Sequence, residues 1–186
     1  MRLFVFFLLF GGRIKVKNPQ RSIIMNNTNN VTSSDNVTVE LLSEMYRNVT
    51  MGSENLSTVV PMIRDSELMS DVTRQLESYA DFTNRTADLL KHHNTEAKEP
   101  TFMKKAMSRG GIKLNTMIDS SDEHIAQMIA KGTETGADEL RLKYEQLRDR
   151  GCDKNALNLC DEILDFERKE IARANQMREG RGNRAE

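Results

Sequence analysis

Apolar positions recur along this chain at alternating spacings of three and four. Leu42, Met45, Val49, Gly52, Leu56, Val59 and Ile63 form the first unbroken stripe. That spacing keeps side chains on one face of an α-helix, and a helix with one apolar face must bury it against another element. The pattern predicts helix 1 from about Val39 to Ile63, with Thr38 as its N-cap and Pro61 marking a kink or early end. Asp65, Ser66 and Glu67 supply a cap and a first-turn acid for helix 2. Leu68, Val72, Leu76, Tyr79, Phe82 and Leu90 carry that helix to about His92, and the short link between the two predicts an antiparallel hairpin.

Residues 93–101 read as a polar link, with Pro100 placed for the first turn of a following helix. From Phe102 an apolar pattern runs through Met107, Leu114, Met117, Ile118, Ile125, Met128, Ile129, Leu140 and Leu147. It is too long for one ordinary helix, so Gly110-Gly111 is expected to split a short helix at 102–109 from helix 3, which reaches about Arg150. Gly132 and Gly136 inside helix 3 are expected to permit close helix approach. Gly151 ends helix 3, and Asp153 caps helix 4, whose stripe is Leu157, Cys160, Leu164, Ile171 and Ala174, fraying after Met177. The predicted fold class is therefore all-α, an antiparallel four-helix bundle over residues 38–177 with a short extra helix before helix 3. Residues 178–186 read as a polar tail.

Residues 26–37 lack apolar periodicity and read as a mobile tail. Leu3–Phe10 is an apolar run far below the roughly 20 residues that a membrane helix needs. No small-residue cleavage site comes after it. Arg13, Lys15, Lys17 and Arg21 stand after the run and only Arg2 before it, which opposes export of the downstream chain. Residues 1–37 are thus expected to be disordered or mis-annotated, with Met25 as the true start of translation. Membrane association through residues 1–24 is the alternative. Asn26, Asn30, Asn36, Asn48, Asn55 and Asn84 all fit N-x-S/T, but Asn48 and Asn55 fall inside helix 1, so coincidence in an Asn/Thr-rich chain is the preferred account.

Composition narrows the function classes. Within 186 residues, 27 basic and 28 acidic side chains nearly cancel, which argues against nucleic-acid binding through a broad cationic face. The 11 methionines read as core filler between helices, because Met45, Met69, Met117 and Met128 lie on or beside apolar stripes. Cys152 and Cys160 are about 12 Å apart if helical, too far for a disulfide, and form no metal-ligand spacing. Two free thiols point to a reducing, cytoplasmic location.

Three stretches carry a resemblance: Asp65-Ser-Glu-Leu opening helix 2, Ser108-Arg-Gly-Gly-Ile-Lys-Leu-Asn before helix 3, and Lys131-Gly-Thr-Glu followed by Leu142-Lys-Tyr-Glu-Gln-Leu. With two hairpins joined by a longer crossing segment, the chain from about Val39 to Met177 resembles the ferritin-like superfamily. More narrowly, it is similar to bacterial ferritin-like proteins grouped as a domain of unknown function. The resemblance implies a di-iron site: an inward carboxylate from each of two helices and Glu-x-x-His from each of the other two. The chain departs from that pattern. None of His92, His93 and His124 lies three residues after an acid. Glu167 stands on the helix 4 stripe, but Glu170 occupies the position three later. Glu77 is followed at that spacing by Ala80, and the helix 1 register passes through Gly52 with Glu54 to one side.

The weak metal candidates are Glu54, Glu134, Glu167, Glu170 and His124, with iron or manganese as the ion. Glu167 is expected to be exposed by helix drift at a bundle end, since acids are seldom buried alone. If inward, it needs a partner, for which His124 and Glu134 are the candidates. The run Asp138, Glu139, Arg141, Lys143 and Glu145 reads as a solvated face. No nucleophile has a recognisable base, and the double glycine lacks the strand and Lys-Ser/Thr of a phosphate loop. Two function classes remain. The preferred one is a non-catalytic bundle without cofactor, acting as a homo-oligomer (a dimer) or with a protein partner. The alternative is a divergent carboxylate-rich metal protein.

Overall fold

Three of the described helices begin where a side-chain oxygen takes up backbone N–H groups that the first turn leaves unpaired. The computed structural model describes residues 33–98 and 121–182. Among them are four α-helices and no strand: α1 (Ser33–Val59), α2 (Ser66–His92), α3 (Asp122–Leu147) and α4 (Lys154–Gly182). A 3-10 turn, Val60–Met62, comes after α1 with Pro61 in its first turn. Asp65 caps α2 by accepting from the Leu68 N–H at 2.8 Å. Asp153 caps α4, accepting from Asn155 and Ala156 at 2.8 and 3.2 Å. Ser121 caps α3 through the His124 N–H at 3.2 Å. Gly151, at φ 82°, makes the left-handed turn between α3 and α4.

Several boundaries differ from the sequence expectation. Helix α1 already includes Ser33, so residues 33–37 are helical rather than part of a tail. Thr38 is not a cap. It is buried inside α1, where its hydroxyl donates to the Ser34 carbonyl at 3.1 Å and accepts from the Asp153 N–H at 2.9 Å. It thereby ties α1 to the start of α4. Helix α1 ends at Val59 rather than Ile63, and α4 continues past Met177 to Gly182. The expected helix at 102–109, the Gly110-Gly111 break and residues 1–32 lie outside the described residues.

The core is the set of stripes turned inward. Leu41, Leu42, Met45 and Val49 of α1 meet Leu68, Val72, Tyr79 and Leu90 of α2, with Ile125, Leu140 and Leu147 of α3 and Ala156, Cys160 and Ile163 of α4. Helix α1 packs on α2 and α3, and α3 packs on α4. Helices α2 and α4 approach less closely. The ends are pinned by single contacts. The Arg64 N–H, just before α2, donates to Asp122 of α3 at 2.9 Å. The Ser34 hydroxyl near the start of α1 donates to the Gly151 carbonyl, and His93 after α2 faces Asp35 of α1 at 3.4 Å. The charged run of α3 is partly solvated and partly cross-linked to α1, through Arg47–Glu139 at 3.0 Å and Lys143–Glu40 at 2.9 Å. No helix among the described residues is long and apolar enough to cross a membrane.

Three glycines sort themselves by what surrounds them. At Gly52 a Cβ would lie 2.7 Å from the Tyr79 ring, so this position exists to let the phenol reach the bundle interior. Gly136 lies in ordinary contact with Asn48, at 3.5 Å. Gly132, contrary to the expectation of close packing, would place a Cβ in open space. The same substitution should therefore have opposite effects at two of these positions. Gly132→Ala should stabilise the fold by about 1 kcal/mol through helix propensity. Gly52→Ala should destabilise it by about 1–3 kcal/mol, because overpacking against a held ring outweighs that gain. Urea unfolding of the two variants beside the parent chain checks both signs.

Candidate functional site

Halfway along the bundle the apolar stripes are interrupted by polar side chains, each helix contributing to the group. Glu167 of α4 is 1 % exposed and Tyr79 of α2 likewise 1 %. The Tyr79 hydroxyl donates to Glu167 Oε1 at 3.2 Å. Asn48 of α1 donates through Nδ2 to the Gly136 carbonyl of α3 at 3.0 Å and to Glu167 Oε2 at 3.5 Å. The Thr133 side chain of α3 faces the phenol oxygen. Phe166, beside Glu167, packs edge-on against the Tyr79 ring at 5.3 Å and at a tilt against Phe82 at 5.4 Å.

The electrostatics are set by burial. Loss of water pushes the Glu167 carboxyl up to about 7, and hydrogen bonds from Tyr79 and Asn48 only partly offset this. Burial, and secondly the nearby carboxylate, hold the Tyr79 phenol well above its ordinary range. One turn farther along α4, Glu170 is buried too, but it is met by charge. Arg74 of α2 grips it with two hydrogen bonds, 2.8 and 2.7 Å, and Arg173 adds a third at 3.0 Å. The Arg74 guanidinium is in turn raised above its usual value, chiefly by Glu170. Gln75 of α2 is buried with its Oε1 lacking a hydrogen-bond partner among the described residues.

These placements correct the expectation for Glu167. It is interior, not exposed at a bundle end, and its partners are Tyr79 and Asn48 rather than His124 or Glu134. Glu134 is exposed and pairs with Lys131 at 2.7 Å. His124 sits half-buried in the first turn of α3, and Glu54 is half-buried on α1. Of the five candidates, the structure brings together only Glu167 and Glu170, neighbours on one helix. The residues that complete the layer were legible only in part. Tyr79 counted as an apolar member of the α2 stripe, and its hydroxyl is what matters. Gln75 falls on that same stripe between Val72 and Tyr79, a visible polar interruption. Asn48 stands beside the α1 stripe and is buried.

A di-iron or di-manganese centre does not fit this donor set. Two such ions need about four carboxylates and two imidazoles turned to one point. Here one inward acid is satisfied by a phenol and an amide, and the other by two guanidinium groups. Among the described residues no group of three or more His, Cys, Asp or Glu side chains is placed to share an ion. The cysteines offer no nucleophile either. Cys152 and Cys160 are free and buried, and burial raises both thiols, Cys160 the more strongly. A shallow groove between α2 and α4, lined by Arg85, Asp88, His92, Asn155, Asn158 and Glu162, lies at the surface with its Arg85–Glu162 ion pair formed at 2.6 Å.

The buried polar layer makes stability depend on pH. An acid whose folded-state value is raised binds its proton more tightly when folded, so its contribution is full below the ordinary value near 4.5 and is lost as pH rises through about 7. Between about pH 5 and pH 8 the protein should therefore lose about 2–3 kcal/mol of stability through this group. Glu167→Gln should flatten that dependence, which urea titrations across the range will read. Separately, Gln75→Leu should raise stability by about 1 kcal/mol, because it removes a buried carbonyl with no donor. In comparison with known proteins, no family model matches this chain and no characterised protein is detectably similar to it in sequence.

Proposed function

We propose that the protein is a non-enzymatic, ferritin-like antiparallel four-helix bundle that acts through protein contact, as a homo-oligomer or with a protein partner. The observation that carries this reading is the use made of the two buried acids. Glu167 and Glu170 each use both oxygens to join α4 to its neighbours, so the polar interior serves to hold helices together. Three contacts support the antiparallel, ferritin-like arrangement. Arg64–Asp122 sets the start of α3 beside the start of α2, while Ser34–Gly151 and His93–Asp35 gather the opposite ends. The stretch of chain from His93 to Ser121 is long enough to return along the bundle as a crossing link.

With the interior closed, recognition falls to the surface. Leu142 of α3, 64 % exposed, is the one large hydrophobic side chain strongly exposed among the described residues. Light scattering of the purified full chain, with metal analysis before and after adding ferrous iron, tests the reading. The expected mass rises with concentration from 21.3 kDa toward twice that value, without stoichiometric iron. A chain that stays monomeric, takes up about two irons and consumes dioxygen as it oxidises them would overturn it.

A further inference from the structure

The α2–α4 seam is built unlike the other helix contacts. Where α1 meets α2 and α3 meets α4, backbones approach closely over apolar side chains. Helices α2 and α4 stand farther apart and meet through long side chains in a row. Along α2 from Arg74 to Arg85, the pairs are Arg74–Glu170, Tyr79–Glu167, the Tyr79/Phe82–Phe166 rings, and Arg85–Glu162. Arg74–Glu170 and Arg85–Glu162 are charge-compensated. Of the three acids in this row, Glu167 is the one that faces a neutral partner across the seam.

We propose that the Glu167 carboxyl is a proton-operated latch on the α2–α4 seam. Protonated, it sits neutral in the layer and the seam closes; when it gives its proton to solvent, the uncompensated carboxylate weakens the seam, and α2 and α4 separate before the rest of the bundle.

The surroundings leave Glu167 to act alone. From α2 it faces Tyr79, whose phenol burial holds far above neutrality, and Arg74 nearby is engaged by Glu170 and Asp71. From α1 it faces the Asn48 amide, while Arg47 is turned to Glu44 and Glu139. From α3 come Thr133 and the Gly136 carbonyl, neither of them titratable. On α4 itself, Glu170 is held by Arg74 and Arg173, and the Cys160 thiol is raised by burial. Among the described residues no cation faces the carboxylate in this layer, so ionisation has no local compensation and is relieved by admitting water between the helices. The free energy of local opening then depends on pH even where the α1–α2, α1–α3 and α3–α4 contacts do not.

Hydrogen exchange by mass spectrometry on the full chain, corrected for the intrinsic pH dependence of exchange, reads this directly. Between about pH 5.5 and pH 8, peptides from the facing stretches of α2 and α4 should lose protection at least about tenfold, while those of α1 and α3 in their mutual contact change little. Glu167→Gln, a permanent mimic of the neutral acid, should keep the seam protected at both values. Tyr79→Phe removes a donor to the carboxylate and should move the midpoint of the change to higher pH, a readout that serves even if the glutamine variant does not fold. The histidines and exposed acids are common to all three proteins and cancel in the comparison. Equal loss of protection in all four helices, no pH dependence, or a midpoint unmoved by Tyr79→Phe would each overturn the proposal.

Discussion

The interior of this bundle depends on one buried carboxyl being tolerable. A carboxylate removed from water costs several kcal/mol unless hydrogen bonds or a counter-charge replace its solvation. Glu167 receives hydrogen bonds from two neutral donors on two different helices, and no cation among the described residues meets it. That requirement reaches into every helix. Tyr79 can deliver its hydroxyl only because Gly52 leaves room for the ring. Asn48 can point its amide inward because the same nitrogen also satisfies the Gly136 carbonyl at 3.0 Å. A polar layer of this kind fixes the relative level of four helices, where an apolar layer would tolerate sliding by a turn.

Glu167 and Glu170 show how the same residue type serves two purposes three positions apart. Glu170 is an ion-pair member, matched by Arg74 in two-pronged geometry and by Arg173, and it draws α2 to α4 by charge. Glu167 lies deeper and is matched by dipoles, so its protonation state is near balance around neutrality. The partners of both acids use them for cohesion between helices, and the proposed reading of the protein as a bundle that works through contact rests on that use.

The surface shows the complementary arrangement. Most of the ion pairs among the described residues lie within one helix, as in Lys131–Glu134, or tie α1 to α3, as in Arg47–Glu139. Exposed pairs of this kind contribute little individually. Their effect is to keep the bundle's outside polar while the stripes supply the cohesion, which leaves Leu142 standing out on α3.

Helix identity, the caps at Asp65 and Asp153, the left-handed turn at Gly151 and most of the core were legible in the chain itself. Each depends on residues within a turn or two of one another, where spacing and side-chain chemistry decide the outcome locally. The limits of α1 were less legible, because Thr38 has the chemistry of a cap but directs it to Asp153, a residue 115 positions away. The sign of the Gly52 and Gly132 positions was equally hidden, since periodicity says nothing about which glycine another helix will approach. Above all, the stripe placed Glu167 on the inward face, but the rule that acids are seldom buried alone pointed to an exposed bundle end and to His124 or Glu134 as partners, none of which the structure bears out. Periodicity defines a face within one helix. It does not define how far each helix is rotated or shifted against the other three, and that alignment, made only in the tertiary structure, set Tyr79 and Asn48 around a carboxyl buried without a cation.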